Sequence, residues 1–278
     1  MTNDEAPAPN AGAAGKAGLP KLDISVAHQA RIYDYLLGGK DNFAADRAAA
    51  KAWLEVNPQT AFSARANRAF LGRVVRYLAG EAGIRQFLDI GTGIPTANNT
   101  HQVAQEIAPR SRVVYVDYDP IVLTHARALL TSHPAGTTDY IDADLRDTGT
   151  ILSQAAKLLD FTKPVAVTLL AILHAIPDAD DPHAIVATLM DAVPPGSYLA
   201  ISHAGSDLLR PGTKDSLEDI SDQMAHNRFT FRSRRRVARF FNGTDLVEPG
   251  LVRVGEWRPE PCEPPGRSAG WCAVGRKR

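Results

Sequence analysis

An apolar run ends in Asp89 and is followed at once by Gly91-Thr92-Gly93, Ile94-Pro95 and then a helical stretch. Glycines let a backbone approach a ligand without a Cβ clash, and a helix start offers unpaired N–H groups. A strand, loop and helix of this composition can therefore seat a ligand closely. Neither common glycine pattern is complete, because Pro95 takes the third position of GxGxG and Thr96 that of GxGxxG. Taken alone, the loop also fits an ordinary tight β-α turn.

A second run, Val113-Val114-Tyr115-Val116-Asp117, ends in a carboxylate at the spacing where dinucleotide folds place an acid on ribose hydroxyls. A charge-assisted hydrogen bond of that kind contributes about 1.5 to 3 kcal/mol, about ten-fold or more in affinity. Asp117 is thus the ribose candidate. Asp119, before Pro120, reads as the cap of the next helix, while Tyr118 either lies against an adenine face or stands exposed. A third run reaches Asp142-Ala143-Asp144-Leu145. Asp144 could accept from the adenine amine and the Leu145 N–H could meet a ring nitrogen; Asp142 and Asp147 read as solvated loop charges. A fourth run passes Ala171 and ends at His174, a fifth ends at His203, and ligands of open α/β sheets bind outside the carboxyl ends of strands. Ala171 is therefore expected beside the ligand. Either histidine could act as a general base, against the plainer reading of a hydrogen-bonded structural histidine.

The elements carrying these residues follow from periodicity. Strands are expected at Gln86 to Ile90, Arg112 to Val116, Asp139 to Ile141, Val165 to Ile172 and Tyr198 to His203. Helices are expected near Asn98 to Ala108, Ile121 to Leu130, Gly149 to Leu158 and Ala184 to Ala192. This alternation implies a parallel sheet with crossover helices. Upstream lie three helical stretches: one capped by Ser25 and stopped by Gly38-Gly39, one from Phe43 to Val56, and one from about Ala61 to Ala79. Downstream, Ser216 to Asn227 and Arg234 to Phe241, the latter capped by Ser233, read as helices. Leu251 to Trp257 and Gly270 to Gly275 should pair as an antiparallel hairpin. The expected division is a tail at 1–20, a helical cap or lid at 21–80, and a sheet domain at 81–278 with a helical insertion at 206–243 near the substrate.

Composition narrows the partners. The chain has 278 residues, 44% of them hydrophobic, enough for a sizeable core. Thirty-one basic residues balance thirty-one acidic ones, so no global field favours a nucleic acid, and the arginines of 228–239 read as the solvated face of an amphipathic helix. Cys262 and Cys272 lack metal-binding or disulfide spacing, and no metal site is expected. The first twenty residues lack the apolar segment of a secretory signal, and the longest apolar stretch, Val165 to Ile176, is well short of the roughly 20 residues that span a bilayer. A cytoplasmic protein without membrane contact is expected.

With acids at the ends of its first three strands, the sequence resembles the class I S-adenosylmethionine-dependent methyltransferases. More narrowly, Ala30-Arg31-Ile32-Tyr33-Asp34-Tyr35-Leu36-Leu37-Gly38-Gly39-Lys40-Asp41-Asn42-Phe43, with Asp89 to Pro95 and Tyr115 to Asp117, is similar to an actinobacterial methyltransferase family long catalogued as a domain of unknown function. The likeness runs from about Leu22 to Arg276, and Pro95 fits the narrower family. It implies a Rossmann-like fold: a seven-stranded, mostly parallel sheet with a reversed C-terminal strand and an N-terminal helical extension. It also implies S-adenosyl-L-methionine as cofactor. Asp89, Gly91, Thr92, Gly93, Asp117, Tyr118, Asp144, Leu145 and Ala171 would then bind it, with Tyr33, Gly39 and Asn42 in a lid. Tyr33, Tyr35 or Phe43 could offer a ring face to the sulfonium, and such a contact contributes about 0.5 to 2 kcal/mol. The partner implied is a methyl acceptor, expected to be a small molecule. Two rivals remain: a nicotinamide-dependent oxidoreductase, disfavoured by the lack of any Tyr-x-x-x-Lys pair, and a non-catalytic binder of the same nucleoside.

Overall fold

Alternate residues of a strand point to opposite faces, so a strand buried at every position must be covered on both sides. In the computed structural model, which describes residues 23–122, 124, 132–222, 229–261 and 267–278, that is the case for β1 (Gln86–Ile90) and β4 (Ala166–Leu170), buried along their whole length. Leu88, Ile90, Val114 and Val116 enter one apolar cluster, while Phe87, Val113 and Tyr115 enter a second on the other face. The remaining strands are β2 (Arg112–Asp117), β3 (Thr137–Asp142), β5 (Tyr198–Ala204), β6 (Thr244–Leu246), β7 (Val252–Arg253) and β8 (Gly270–Lys277).

The sheet runs β3-β2-β1-β4-β5-β8-β6, parallel through β5 and reversed at β8. It has eight strands, not the expected seven. The edge beyond β8 is split: β6 pairs with Gly275 to Lys277, and β7 pairs with Trp271 and Cys272. Asn242-Gly243 stops a helix as expected, but leads straight into β6. The stretch from Leu251 contributes only β7 before turning into a 3-10 helix at Val254–Glu256.

Three helices precede the sheet: α1 (Gln29–Leu37), α2 (Ala44–Val56) and α3 (Thr60–Arg76), the last prolonged by a π-turn at Tyr77–Glu81. His28, not Ser25, caps α1, because Ser25 spends its hydroxyl on Asp23. Crossover helices are α4 (Thr100–Ile107), α5 (Thr148–Ala155) and α6 (Pro182–Asp191). The insertion holds α7 (Thr213–Ser221) and α8 (Arg234–Ala238), with a 3-10 turn at Arg239–Phe241. Ser233 occupies the cap position of α8 without a side-chain cap bond. The 1–20 tail, most of Ile121 to Leu130, the end of Ser216 to Asn227, and Cys262 lie outside the described residues. Among those described, no helix is long and apolar enough to cross a membrane, and no cluster of three metal-ligating side chains occurs.

The Tyr33 to Phe43 segment folds as one tight unit. Asp34, buried, accepts hydrogen bonds from Asp41 N and Asn42 Nδ2. Gly39 lies against that carboxylate so closely that any Cβ would collide with it. One turn on, buried Asp46 receives His28 N and Phe43 N, each at 2.8 Å, and pairs with Arg31. This set of short acids and glycine ties α1 to the turn that follows it and to the start of α2.

Candidate functional site

The carboxyl ends of β1, β2, β4 and β5 open into one cavity of about 210 Å³ roofed by α1, α2 and α3. Asp89, Gly91, Thr92, Gly93, Asp117, Tyr118, Ala171, Tyr33, His174 and His203 all line it, so the fold gathers most of the residues singled out from the sequence. Asp144 and Leu145 stand at a neighbouring slot of about 20 Å³, which Gly91, Asp117 and Tyr118 also border. Gly39 and Asn42 are elsewhere, in the turn described above; their chemistry is spent on Asp34.

Backbone geometry shapes the loop. Gly91 (φ 76°) and Gly93 (φ 65°) adopt left-handed conformations. A Cβ on Gly91 would meet Ile172 at 2.5 Å, whereas on Gly93 it would meet nothing within 4 Å. The open side of Gly93 is a cradle of bare backbone, which fits a nucleoside pressed against the loop. Asp117 holds the loop in place: its carboxylate accepts Gly93 N at 2.8 Å, Tyr118 N at 2.9 Å and Asp119 N at 3.1 Å. Burial raises its pKa above the usual carboxylate value, opposed by the Asp119 and Gly93 N–H groups. Asp89 accepts hydroxyl bonds from Thr168 and Thr100, each at 2.6 Å, and burial likewise pushes its carboxyl upward. Asp144 meets Arg146 through N–H and guanidinium contacts, and Arg146 continues to Asp180.

The start of α1 reaches across the opening. His28 Nδ1 lies 2.8 Å from Asp119, which also caps the turn at Ile121. Gln29 Nε2 lies 3.3 Å from the Ala171 carbonyl and 2.6 Å from His174 Nε2. Tyr33 donates to Ala64 O and accepts from Asn67, whose other end takes the Ser202 hydroxyl, and Ser202 in turn accepts from Ala171 N. Ala171 itself sits at φ 56°, a conformation seldom adopted by residues with a Cβ and often found at functional loops.

The two histidines differ. His203 Nδ1 lies 2.9 Å from the Ala204 carbonyl, and its Nε2 lies 2.8 Å from Arg232 Nη1. An arginine can only donate, so Nε2 accepts and Nδ1 carries the proton. Neither nitrogen then has a lone pair for an acceptor proton, which corrects the expectation of a general base at His203. Burial, with the Arg232 charge, lowers its pKa to about 3. Arg232, fully buried, also binds Leu173 O, Ile176 O and Asp178, locking the loop after β4. His174 stacks on Phe229 with ring centroids 3.9 Å apart, and its Nδ1 is buried without a hydrogen-bond partner. Burial, then His203 and Arg232, holds its pKa well below the ordinary value.

Sequence reasoning missed His28, Gln29, Trp53, Asn67, Arg68, Phe229 and Phe231, and it counted Arg232 among the solvated arginines of 228–239, whereas Arg232 is fully buried. Phe229 and Phe231 alternate around Thr230 as a strand would, the one local signal that pointed to a shared face.

A mostly parallel sheet with a reversed last strand, a glycine loop after β1 and an acid closing β2 together have the form of a class I methyltransferase fold. The sequence profile described as S-adenosyl methyltransferase matches residues 16–278, and the chain belongs to that family. A DUF574-family protein of Streptomyces avermitilis is similar at 45% identity, over 92% of this chain and 99% of that one, with a TM-score of 0.88. A protein of Thermobifida fusca assigned as a methyltransferase is 42% identical over 93% and 98%, with a TM-score of 0.84. Among curated proteins none matches this sequence. The chain is thus an S-adenosylmethionine-dependent methyltransferase with a Rossmann-like fold.

Proposed function

We propose that this methyltransferase acts on a small, largely apolar acceptor held between α2 and the 206–243 insertion. The observation that carries this reading is the continuity of the cavity. From Asp117 and Gly93 it runs without a partition to a wall of Trp53, Leu209, Leu217, Phe229 and Phe231. Such walls suit a ligand that leaves water through its carbon surface, at roughly 25 cal/mol per Å² of area buried. Asp117 takes the ribose hydroxyls, Gly91 to Gly93 lie under the nucleoside, and Asp144 with Leu145 borders the adenine once Arg146 has moved aside. Asp89, Tyr118, Ala171 and Tyr33 complete the cofactor side, with Gly39 and Asn42 shaping the lid from behind.

S-adenosylmethionine supplies a methyl group already activated on a sulfonium, so the chain's own task is to align the acceptor and keep water away. Alignment alone can supply on the order of 7 to 11 kcal/mol. Of the two histidines at the strand ends, His203 is committed to Arg232, which leaves His174 to take a proton, and only after Gln29 leaves its Nε2. An acceptor that needs no strong base suits this site best.

Two measurements test the reading. Calorimetry should detect S-adenosylmethionine binding to the full chain, weakened about ten-fold or more in Asp117→Ala. Incubation with panels of apolar and of polar or macromolecular acceptors should release S-adenosylhomocysteine with the apolar set. Release only with proteins or nucleic acids would overturn the small-molecule assignment; an unchanged dissociation constant in Asp117→Ala would overturn the ribose assignment.

A further inference from the structure

Among the described residues, Arg68 lines the cavity without an anionic partner in ion-pair contact. Arg68 projects from α3 beside Asp89 and the glycine loop. Its Nη2 donates to the Ala97 carbonyl at 2.7 Å and to Asn99 Oδ1 at 3.0 Å, which seats the guanidinium against the loop after β1. Asn99 is itself fixed as the cap of α4, so the anchor is firm. Arg68 Nε is buried and makes no hydrogen bond. Asp89 influences this charge through space, but its carboxylate accepts from Thr168 and Thr100 and, among the described residues, forms no ion pair with Arg68.

A guanidinium stripped of water on one edge and left without an acceptor is costly, because an unmade charged hydrogen bond forfeits its desolvation. Burial accordingly pulls the Arg68 pKa below the ordinary guanidinium value. The group that relieves this cost is a planar anion, and a carboxylate matches the arginine fork best. The family's cofactor and its demethylated product both end in an amino-acid tail bearing one carboxylate. Neutral nucleoside fragments lacking the tail have none.

We propose that Arg68 reads the amino-acid carboxylate of S-adenosylmethionine through the guanidinium N–H groups that the loop leaves free. This rests on the cavity being the cofactor site. Arg68 thereby makes affinity depend on the tail and ties cofactor binding to α3 in the helical roof. The loop contacts of Nη2 pre-organise the charge, so little side-chain freedom remains to be lost on binding.

The test compares two nucleosides on the full chain by calorimetry: S-adenosylhomocysteine, which carries the tail, and 5′-methylthioadenosine, which lacks it. Arg68→Gln should weaken S-adenosylhomocysteine about ten-fold or more while leaving methylthioadenosine unchanged, and that unchanged binding certifies the fold of the variant. Arg68→Lys, which keeps the charge but not the fork, should fall between. Equal losses for both nucleosides would make Arg68 a loop anchor and overturn the proposal, as would no loss for either. A wild-type chain that binds neither nucleoside is a different failure: it removes the cofactor reading itself, and this assignment with it.

Discussion

Arg232 shows how one buried side chain can decide the chemistry of its neighbours. Its donors are distributed over Leu173 O, Ile176 O, Asp178 and His203 Nε2, so the charge is compensated and His203 is held neutral. A histidine whose folded pKa lies below its unfolded value takes its proton only on unfolding. The unfolded chain binds more protons once pH drops below about 6.5, so native stability is complete above that pH and declines as pH falls. His174 acts with the same sign. We expect the ring resonances of His174 and His203 in NMR spectra to stay in their neutral positions down to about pH 5 while the protein remains folded. The melting temperature should fall over the same interval. A titration of either ring near the ordinary value would contradict both the burial and the role of Arg232.

The turn from β1 to α4 concentrates its demands in two glycines that look equivalent in sequence and are not. Both sit at positive φ, where a Cβ costs roughly 1–2 kcal/mol. Gly91 additionally faces Ile172 from the loop after β4, leaving no room for a methyl group, while Gly93 faces open space. Gly91→Ala should therefore lower the melting temperature more than Gly93→Ala. The order should reverse in ligand affinity per degree lost, because a methyl on Gly93 occupies the cradle itself. Thermal melts and calorimetry on the pair read this directly; equal melting temperatures would mean that Ile172 yields.

The helical roof and the sheet share one core. Phe70, Val74 and Leu78 are fully buried against Phe87, Val113 and Trp257, and Arg73 donates to the Trp257 and Val254 carbonyls. Burying one such side chain contributes about 1.5–3 kcal/mol. Losing several exhausts the roughly 5–15 kcal/mol of net stability typical of a domain. A chain beginning at residue 81 should show no cooperative melting transition. Cooperative unfolding of 81–278 alone would show that the roof is an accessory. Because the roof carries Arg68, Trp53, Gln29 and Tyr33, removing it would also remove one wall of the cavity.

Residues close in sequence made the strand-end side of the cavity legible. The Gly91-Thr92-Gly93 turn, the alternating apolar strands and the acid ending β2 express local sterics and periodicity, which need no distant partner to be read. The opposite wall of the cavity was not legible in the same way. Gln29 meets His174 across 145 positions and Arg232 meets His203 across 29, and neither pairing leaves a local pattern. Likewise the split edge of β6 and β7 depends on what β8 can pair with, not on the short runs themselves. Whether a histidine is a base or a fixture depends on which groups surround its two nitrogens, and only the packed chain brings those groups within 3 Å.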